Sequence, residues 1–394
     1  MITSQSFTAI KSTNGHPTSE DARRLYSFDA LRAGLTLLVL FHHTALTYRA
    51  GGGWFYHEKQ PSDSIVSQCL TIFVSVNQTF FMGAFFLIAG YFSPAALRRK
   101  GSVGFLRDRL IRLGIPLLVF GFILGPLTVS IAQAAYGHNF LKELMSRWGR
   151  AAFCPGPLWF AEALLLFSLA AVVMNKLFFS EPRASESSEC GGKPSYSSIF
   201  TVLLFVAGTG ITSFLIRLFW PVGKEVMGMQ LGYFASYIVL FVVGYRASDF
   251  RLLEFIPMSL SRSLEWISWF TLPLLFILSH GLIDFSGGSN GGWNVPSLIY
   301  AMWEPFVAVG IIVAMIQFSQ CHLNEPSVFM RSLARRSYCI YIIHPVILVI
   351  ISITLRGAML NPLVKFMMAG TFTCIACYQV AGGLIRIPII RRIV

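Results

Sequence analysis

The sequence contains few charged residues. Only 12% of its 394 residues are Asp, Glu, Lys or Arg, whereas 55% are hydrophobic and 14% are aromatic, and the mean hydropathy is +0.64. A soluble domain carries roughly 25% charged residues. The composition therefore argues against an ordinary soluble domain and favours a polytopic membrane protein.

The sequence also lacks a basic face, although its net charge is +13. Lys and Arg are distributed between apolar runs, with no basic patch that contains interleaved aromatic residues, so we expect no nucleic-acid partner. Nucleotide-binding and metalloprotease motifs are missing, and no metal site is expected. Most of the seven cysteines lie in apolar runs, which does not indicate a disulfide framework.

Long apolar runs are abundant, and a membrane-spanning helix needs about 20 mostly apolar residues. Ten segments meet this condition: 30–48, 71–92, 110–135, 158–179, 199–219, 229–247, 264–283, 298–318, 337–355 and 361–386. We therefore predict an all-α polytopic membrane protein, a bundle of about ten transmembrane helices. Residues 1–25 are predicted to form a flexible N-terminal arm and residues 26–394 the membrane domain.

The positions of Lys and Arg predict the orientation of the bundle. If the N-terminus is cytoplasmic, the inner segments contain 22 of the 31 Lys and Arg residues and the outer loops contain 8, while Lys365 lies within the last span. Because loops rich in Lys and Arg stay in the cytoplasm, we expect both termini to be cytoplasmic. The expected location is the cell (inner) membrane, crossed many times.

The first predicted span carries an arginine and a histidine on one face. Arg32 and His43 are eleven positions apart, which corresponds to about 20° around a helix and about 16 Å along its axis. An ionisable group within a span is a functional-site candidate, and histidine is suited to general base catalysis. In the alternative interpretation, Arg32 anchors the helix at the cytoplasmic surface and His43 only hydrogen bonds to another helix.

Other ionisable side chains also occur in or beside apolar runs. Arg109 and Arg112 are three residues apart at the start of a predicted helix and therefore face the same way. Three more residues lie inside predicted spans, where such groups need partners: Glu162, Glu304 and His344. Each is either a structural inter-helix contact or part of a polar cavity that also contains His43.

Four stretches, in this order, resemble acyltransferase family 3 and most of all its glucan-modifying succinyl- and acetyltransferase branch: "FDALRAGLTLLVLFHH", "FFLIAGYFSPAALRRKG…FLRDRLIRLGIP", "GPLWFAEALLLF" and "SYCIYIIHPVIL". That family's signature, an arginine and a histidine separated by ten residues, matches Arg32 and His43. Its Arg-x-x-Arg matches Arg109 and Arg112. Ala89 stands where many members have serine, so that hydroxyl has no counterpart here.

This resemblance implies transfer of an acetyl or succinyl group from cytoplasmic acyl-coenzyme A to a hydroxyl of an extracytoplasmic glycan or polysaccharide. The implied catalytic candidates are His43, as general base, with Glu162, Glu304 and His344 in supporting roles. The implied coenzyme A-binding candidates are Arg32, Arg109 and Arg112. Direct attack by the hydroxyl and a transient acyl-histidine both remain open.

One alternative function uses the same ionisable residues. In a proton-coupled secondary transporter or flippase of a small polar or glycan substrate, His43 and its partners would form the proton path. Many transporters contain an internal repeat, and the sequence shows none. Thioester-dependent release of free coenzyme A distinguishes the two functions.

Overall fold

A computed structural model describes residues 19–49, 53–58, 64–178, 199–249, 251–279, 288–323, 325 and 327–393. The α-helices in these residues are α1 (Ser19–Tyr48), α2 (Ile65–Arg109), α3 (Ile115–Val119), α4 (Gly125–Ala135), α5 (Phe140–Gly149), α6 (Trp159–Phe178), α7 (Ile199–Arg217), α8 (Phe234–Asp249), α9 (Met258–Thr271), α10 (Leu274–Ser279), α11 (Val295–His322), α12 (Val328–Thr354), α13 (Pro362–Leu384) and α14 (Pro388–Ile393). Two antiparallel strands, β1 (Glu225–Val226) and β2 (Met229–Gln230), form one short hairpin.

The all-α polytopic membrane fold is confirmed. Within the described ranges, eight helical runs are long and apolar enough to cross a membrane: Tyr26–Tyr48, Ile65–Ala135, Gly156–Leu177, Ile199–Arg217, Leu231–Asp249, Val295–His322, Val328–Thr354 and Pro362–Leu384. The run Ile65–Ala135 is 71 residues long and contains the predicted spans 71–92 and 110–135. The eight runs therefore account for nine of the ten predicted spans.

The remaining predicted span, 264–283, is divided. Helix α9 ends at Thr271 and α10 begins at Leu274, because Pro273 between them has no N–H to continue the helical hydrogen bonds. Residues 280–287 lie outside the described residues.

The predicted flexible arm, 1–25, is described only in part. Helix α1 begins at Ser19, so the last seven residues of the arm are helical. Residues 1–18 lie outside the described residues, and the prediction for them stays a prediction.

The long run that begins with α2 bends at glycine and at proline. Gly101 has φ +66° and ψ 169°, a conformation that residues with a Cβ rarely adopt. Two π-helical turns, Leu110–Gly114 and Phe120–Leu124, each lie two residues before a proline, at 116 and 126. Proline leaves the carbonyl four residues earlier without its helical partner, which favours such local unwinding.

Helix α2 packs against α8 at backbone distance. A Cβ on Gly90 would lie 2.1 Å from the carbonyl oxygen of Phe241, and a Cβ on Gly244 would lie 2.1 Å from that of Leu87. Small residues permit such close approach between membrane helices. This crossing fixes the position of α2 and of the cavity that α2 lines.

Helix α1 is central in the bundle, since it contacts α2, α11, α12 and α13. Its side chains Ala33, Leu35 and Leu40 are fully buried. The histidines of α1 therefore face other helices rather than lipid.

Candidate active site

A cavity of about 1000 Å³ reaches the histidines of α1. Five residues of the first span and the segment after it line this cavity: Val39, His42, His43, Leu46 and Arg49. His42 and His43 are adjacent, and the other residues follow at intervals of three or four, so the five side chains make one stripe. Residues of the loops 53–58, 153–157 and 222–230 also contribute to the lining, so the cavity lies at the C-terminal end of α1, away from Arg32.

His43 hydrogen bonds to His344, 301 residues further along the chain. The distance from His43 Nδ1 to His344 Nε2 is 2.8 Å, and His344 Nδ1 lies 2.6 Å from the carbonyl oxygen of Tyr341. A carbonyl oxygen only accepts, so His344 carries its proton on Nδ1. In the neutral pair, His344 Nε2 then accepts from the Nδ1–H of His43, which leaves His43 Nε2 unprotonated.

The tautomer of His344 follows from the proline beside it. In a regular helix the carbonyl of Tyr341 would accept from the N–H of residue 345, but Pro345 has none. The side chain of His344 supplies the missing donor instead. The backbone thus fixes the proton on His344, and through it the proton on His43.

Trp54 covers the imidazole of His43. The two rings are stacked with centroids 4.2 Å apart and planes 10° apart, and Trp54 also stacks on His344 at 6.3 Å. This contact holds the His43 ring in the plane that the hydrogen bond to His344 requires. One face of His43 is therefore closed by indole.

The segment 53–58, which contains Trp54, is held in place by hydrogen bonds and an ion pair. The N–H of Glu58 donates to the carbonyl of Thr47 at 2.9 Å, and His57 Nδ1 lies 2.9 Å from the carbonyl oxygen of Leu46. Lys365, on α13, donates to the Glu58 carboxylate at 2.5 Å, and its side chain is only 5% exposed. The position of the indole thus depends on a buried ion pair.

His42 also lines the cavity, but it is not part of the hydrogen bonds that join Tyr341, His344 and His43. It is buried and stacks on Phe81 with centroids 4.7 Å apart. Its Nδ1 has no hydrogen-bond partner among the described residues.

Glu304 is paired away from His43. Its carboxylate forms a buried ion pair with Arg217, whose Nε donates to the carbonyl of Gly232 at 3.0 Å. Glu162 is half-buried on α6, and its Oε2 has no hydrogen-bond partner among the described residues. Neither carboxylate lines the cavity. Of the three intramembrane candidates, His344 is the one that hydrogen bonds to His43.

The three candidate coenzyme A-binding arginines lie near one another. Arg109 is close enough to both Arg32 and Arg112 to interact with them electrostatically. Arg32 forms an ion pair with Asp29, and Arg112 forms one with Asp108 at 3.2 Å. This arginine cluster (Arg32, Arg109 and Arg112) does not line the cavity that reaches His43.

Sequence reasoning did not select several residues of this site. The sequence offers Trp54 only as an outer-loop aromatic, either interfacial or sugar-stacking, and the count of positive charges includes Arg49 and Arg217 only among the outer-loop charges. The sequence contains a signal for Arg49, because the spacing of three or four residues from Val39 through His43 continues to Arg49. The other two are revealed only by tertiary contacts.

The fold and the site together define a multi-pass helical membrane protein with an internal pair of hydrogen-bonded histidines, one of which, His43, lines a large cavity. A family model described as an acyltransferase domain matches residues 25–382. The chain therefore belongs to this family, acyltransferase family 3, and is a membrane acyltransferase.

Similar curated proteins agree with the family. "Glucans biosynthesis protein C" of Escherichia coli O6:K15:H31 (strain 536 / UPEC) is 24% identical over 340 residues, which cover 82% of each chain. The protein of the same name from Escherichia coli O1:K1 / APEC is 24% identical over 337 residues, again 82% of each chain. A further relative of that name, from Escherichia coli O139:H28 (strain E24377A / ETEC), is 35% identical over 97 residues, 25% of this chain and 24% of its own. No solved structure matches the chain.

Proposed function

We propose that this protein transfers an acetyl or succinyl group from cytoplasmic acyl-coenzyme A to a hydroxyl of an extracytoplasmic glucan, with His43 as the general base. The observation that carries the proposal is the chain of hydrogen bonds from the Tyr341 carbonyl through His344 to His43. It leaves the Nε2 lone pair of a cavity-lining imidazole without a hydrogen-bond partner among the described residues.

The chemistry needs such a base because a sugar hydroxyl is a weak nucleophile at neutral pH. The hydroxyl oxygen forms a bond to the thioester carbonyl carbon while its proton passes to His43 Nε2. The carbon–sulfur bond then breaks, and the departing thiolate of coenzyme A takes that proton from His43. The products are an ester and free coenzyme A, and His43 returns to its neutral form.

His344 acts through His43 as a positioning residue. When His43 accepts a proton, both of its ring nitrogens become donors, and the Nδ1–H continues to donate to His344. The relay therefore keeps the imidazole in one orientation through the whole reaction, and Trp54 prevents it from tilting.

The donor site in this proposal is the arginine cluster. Guanidinium groups bind phosphate oxygens in pairs, and coenzyme A carries several phosphate charges. Arg109 has a buried Nε without a hydrogen-bond partner among the described residues, which suits it to receive an anion. In this proposal the protein lies in the cell (inner) membrane with the arginine cluster on the cytoplasmic side. The side of the cavity that is lined by the loops 53–58, 153–157 and 222–230 faces the acceptor.

A glucan is the acceptor suggested by the names of the similar curated proteins. The cavity offers aromatic rings with polar edges, the chemistry that binds sugars, in Trp159, Tyr233 and Tyr237. Gln78 adds an amide that donates to the hydroxyl of Tyr237 at 3.1 Å.

The test is the variant His43→Ala in the purified full-length protein. Loss of a general base lowers turnover by about 10²- to 10⁴-fold, so release of free coenzyme A and formation of acylated glucan are expected to fall by that factor. His138→Ala is the matched control, because His138 is exposed in the turn between α4 and α5. Turnover by His43→Ala equal to that of the control would exclude His43 as the base, and a wild type that releases no coenzyme A would favour transport.

A further inference from the structure

Arg217 and Glu304 form a buried ion pair that does not itself line the cavity. Arg217 is the last residue of α7, and Glu304 lies on α11. Replacing a buried ion pair by apolar side chains often leaves stability unchanged or raises it, so stability alone does not account for two charges at this place. Ionisable groups inside membrane spans mark functional sites by default, which directs attention to what this pair contacts.

Two tyrosines that line the cavity cover the ion pair. The guanidinium carbon of Arg217 lies 5.3 Å from the centre of the Tyr233 ring and 5.0 Å from the centre of the Tyr300 ring. Both tyrosines belong to the cavity lining, whereas Arg217 does not. Because a cation is attracted to the face of an aromatic ring, Arg217 holds both rings from behind the cavity wall.

Arg217 also holds the backbone beside these tyrosines. Its Nε donates to the carbonyl of Gly232 at 3.0 Å, and Gly232 directly precedes Tyr233. Tyr300 and Glu304 are four residues apart on α11 and therefore share a face of that helix. One arginine thus joins the end of α7, the turn that leads into α8 and the face of α11 that carries the second tyrosine.

The hydroxyls of Tyr233 and Tyr300 retain hydrogen-bonding capacity. Their oxygens are 3.5 Å apart, which is longer than the usual O–H···O distance of about 2.5–3.0 Å, and each phenol can both donate and accept. Arg49, which finds no counter-ion among the described residues, interacts electrostatically with both phenols. Since Arg49 belongs to the same stripe as His43, the phenols lie within electrostatic range of the wall that carries the proposed base.

We propose that the hydroxyls of Tyr233 and Tyr300 bind two neighbouring hydroxyl groups on one sugar ring of the acceptor, and that Arg217 is the positioning residue for both phenols. This inference rests on the proposed function, because His43 then takes the proton of another hydroxyl of the same acceptor. Neighbouring hydroxyls on a sugar ring project side by side, as the two phenolic oxygens do. Each can donate to a phenol or accept from it, so the pair of phenols favours a polyhydroxyl acceptor over a simple alcohol.

Kinetics of the purified full-length protein test the two hydroxyls, with a glucan oligosaccharide as acceptor and saturating succinyl- or acetyl-coenzyme A, whichever the wild type uses faster. Tyr233→Phe and Tyr300→Phe each remove one oxygen and keep the ring over Arg217. Loss of a hydrogen bond between neutral groups is expected to raise the KM for the oligosaccharide about 2- to 10-fold in each variant, with kcat and the KM for the donor unchanged. Tyr245→Phe is the matched control, since Tyr245 is a buried tyrosine of α8 outside the cavity lining.

Acceptor analogues distinguish direct contact from a change in the shape of the cavity. Each analogue is the oligosaccharide with one ring hydroxyl replaced by hydrogen. With the analogue that lacks the hydroxyl bound by a given phenol, removal of that phenolic oxygen is expected to raise the KM no further, because the hydrogen bond is already missing. The same rise in KM with every analogue would show that the phenols do not contact the ring hydroxyls.

Neutralising the ion pair tests Arg217 without leaving an unpaired charge buried. In the double variant Arg217→Met with Glu304→Gln, the melting temperature is expected to change little, while the KM for the oligosaccharide rises as much as in Tyr233→Phe with Tyr300→Phe. Adding both tyrosine changes to the neutralised variant is expected to have little further effect, because Arg217 acts through the phenols. Fully additive effects would show that Arg217 acts independently of them.

Two further results would decide against the inference. An unchanged KM for the oligosaccharide in both tyrosine variants, or a fall in kcat alone, would remove the acceptor contacts and leave the proposed function intact. If the wild type released no coenzyme A from either donor, the proposed function itself would fail, and this inference with it.

Discussion

At the scale of single residues, the site depends on a proline that takes no part in the chemistry. Pro345 removes one backbone N–H, and the vacated carbonyl of Tyr341 then selects the tautomer of His344. Pro126, in α4, likewise frees the carbonyl of Phe122 in the preceding π-helical turn, and this carbonyl accepts from the indole N–H of Trp148 at 3.0 Å. Helix-breaking residues are tolerated in membrane helices when side chains satisfy the freed carbonyl.

Pro345→Ala tests this role. Alanine at position 345 provides a backbone N–H for the Tyr341 carbonyl, so His344 is no longer held with its proton on Nδ1. We expect kcat to fall by at least about tenfold, while the melting temperature stays equal or rises because alanine favours a helix interior more than proline does.

Coenzyme A release and thermal unfolding of the same preparation measure the two effects. The control is Pro94→Ala. It also replaces a proline inside a helix, α2, but the residue before Pro94 is serine and not histidine. An unchanged kcat in a well-folded Pro345→Ala variant would show that the tautomer of His344 does not matter.

At the scale of elements, the segment 53–58 connects the site to α13. Lys365 is a cation inside a predicted span, and it is tolerated there because the Glu58 carboxylate reaches it at 2.5 Å and the carbonyl of Arg356 accepts a second bond at 3.4 Å. The ion pair joins the segment that carries Trp54 to a helix that contributes no residue to the cavity lining. Residues far from His43 therefore determine the position of the indole that covers it.

Exchange of the two charges tests this connection. Removing one partner of a buried ion pair costs about 3–5 kcal/mol, so Lys365→Ala is expected to lower both the melting temperature and kcat. The double variant Glu58→Lys with Lys365→Glu is expected to recover part of both losses, because the attraction is restored with its direction reversed. Thermal unfolding and coenzyme A release measure the outcome.

The half-exposed pair Glu143–Arg147, whose charged atoms are 3.6 Å apart, provides the comparison. An exposed pair contributes about 0–1 kcal/mol, so Arg147→Ala should change the melting temperature little. If the double variant had a melting temperature and a kcat no higher than those of Lys365→Ala, the ion pair would not position the segment 53–58.

At the scale of the whole molecule, the candidate donor and acceptor sites lie at different levels along α1. Arg32 of the arginine cluster lies near the middle of this helix, in the first part of the apolar run Tyr26–Tyr48, whereas the cavity and its loops surround the end of the helix. A donor bound at the arginine cluster and an acceptor bound in the cavity would both reach His43, which lies between Arg32 and the end of the helix. This separation would allow acyl transfer across a membrane without transport of coenzyme A.

Sealed membrane vesicles test this sidedness. If both termini are cytoplasmic, inverted vesicles present the arginine cluster to the outside medium. Acyl-coenzyme A added outside inverted vesicles is expected to acylate glucan enclosed in the lumen, and right-side-out vesicles are expected to show at least about tenfold less activity until detergent is added. Equal activity in both vesicle types would contradict the predicted orientation.

Arg32→Ala tests the donor site itself. The variant should raise the KM for acyl-coenzyme A by about tenfold or more, the effect of losing one charged contact, without a matching rise in the KM for glucan.

Much of the membrane architecture is predictable from the sequence, but less of the site is. Apolar runs and helix breakers are local patterns, so nine predicted spans coincide with long helices, and Pro273 accounts for the divided one. The sequence singles out His43 from its place on the first helix, but it gives Glu162, Glu304 and His344 alike as possible neighbours, and only the structure shows that His344 contacts His43. The pairing of Glu304 with Arg217 was not predicted, because the count of positive charges treated Arg217 only as part of a loop.

By itself, the sequence determined that the chain crosses a membrane as helices and that α1 carries an arginine and a histidine on one face. These features follow from hydrogen bonds and side-chain periodicity within each helix. Only the tertiary structure decided that His344 is the partner of His43, that Trp54 covers it and that Arg49 finds no counter-ion among the described residues. Such contacts join residues that are distant in the chain, and they depend on which helices pack together and how closely.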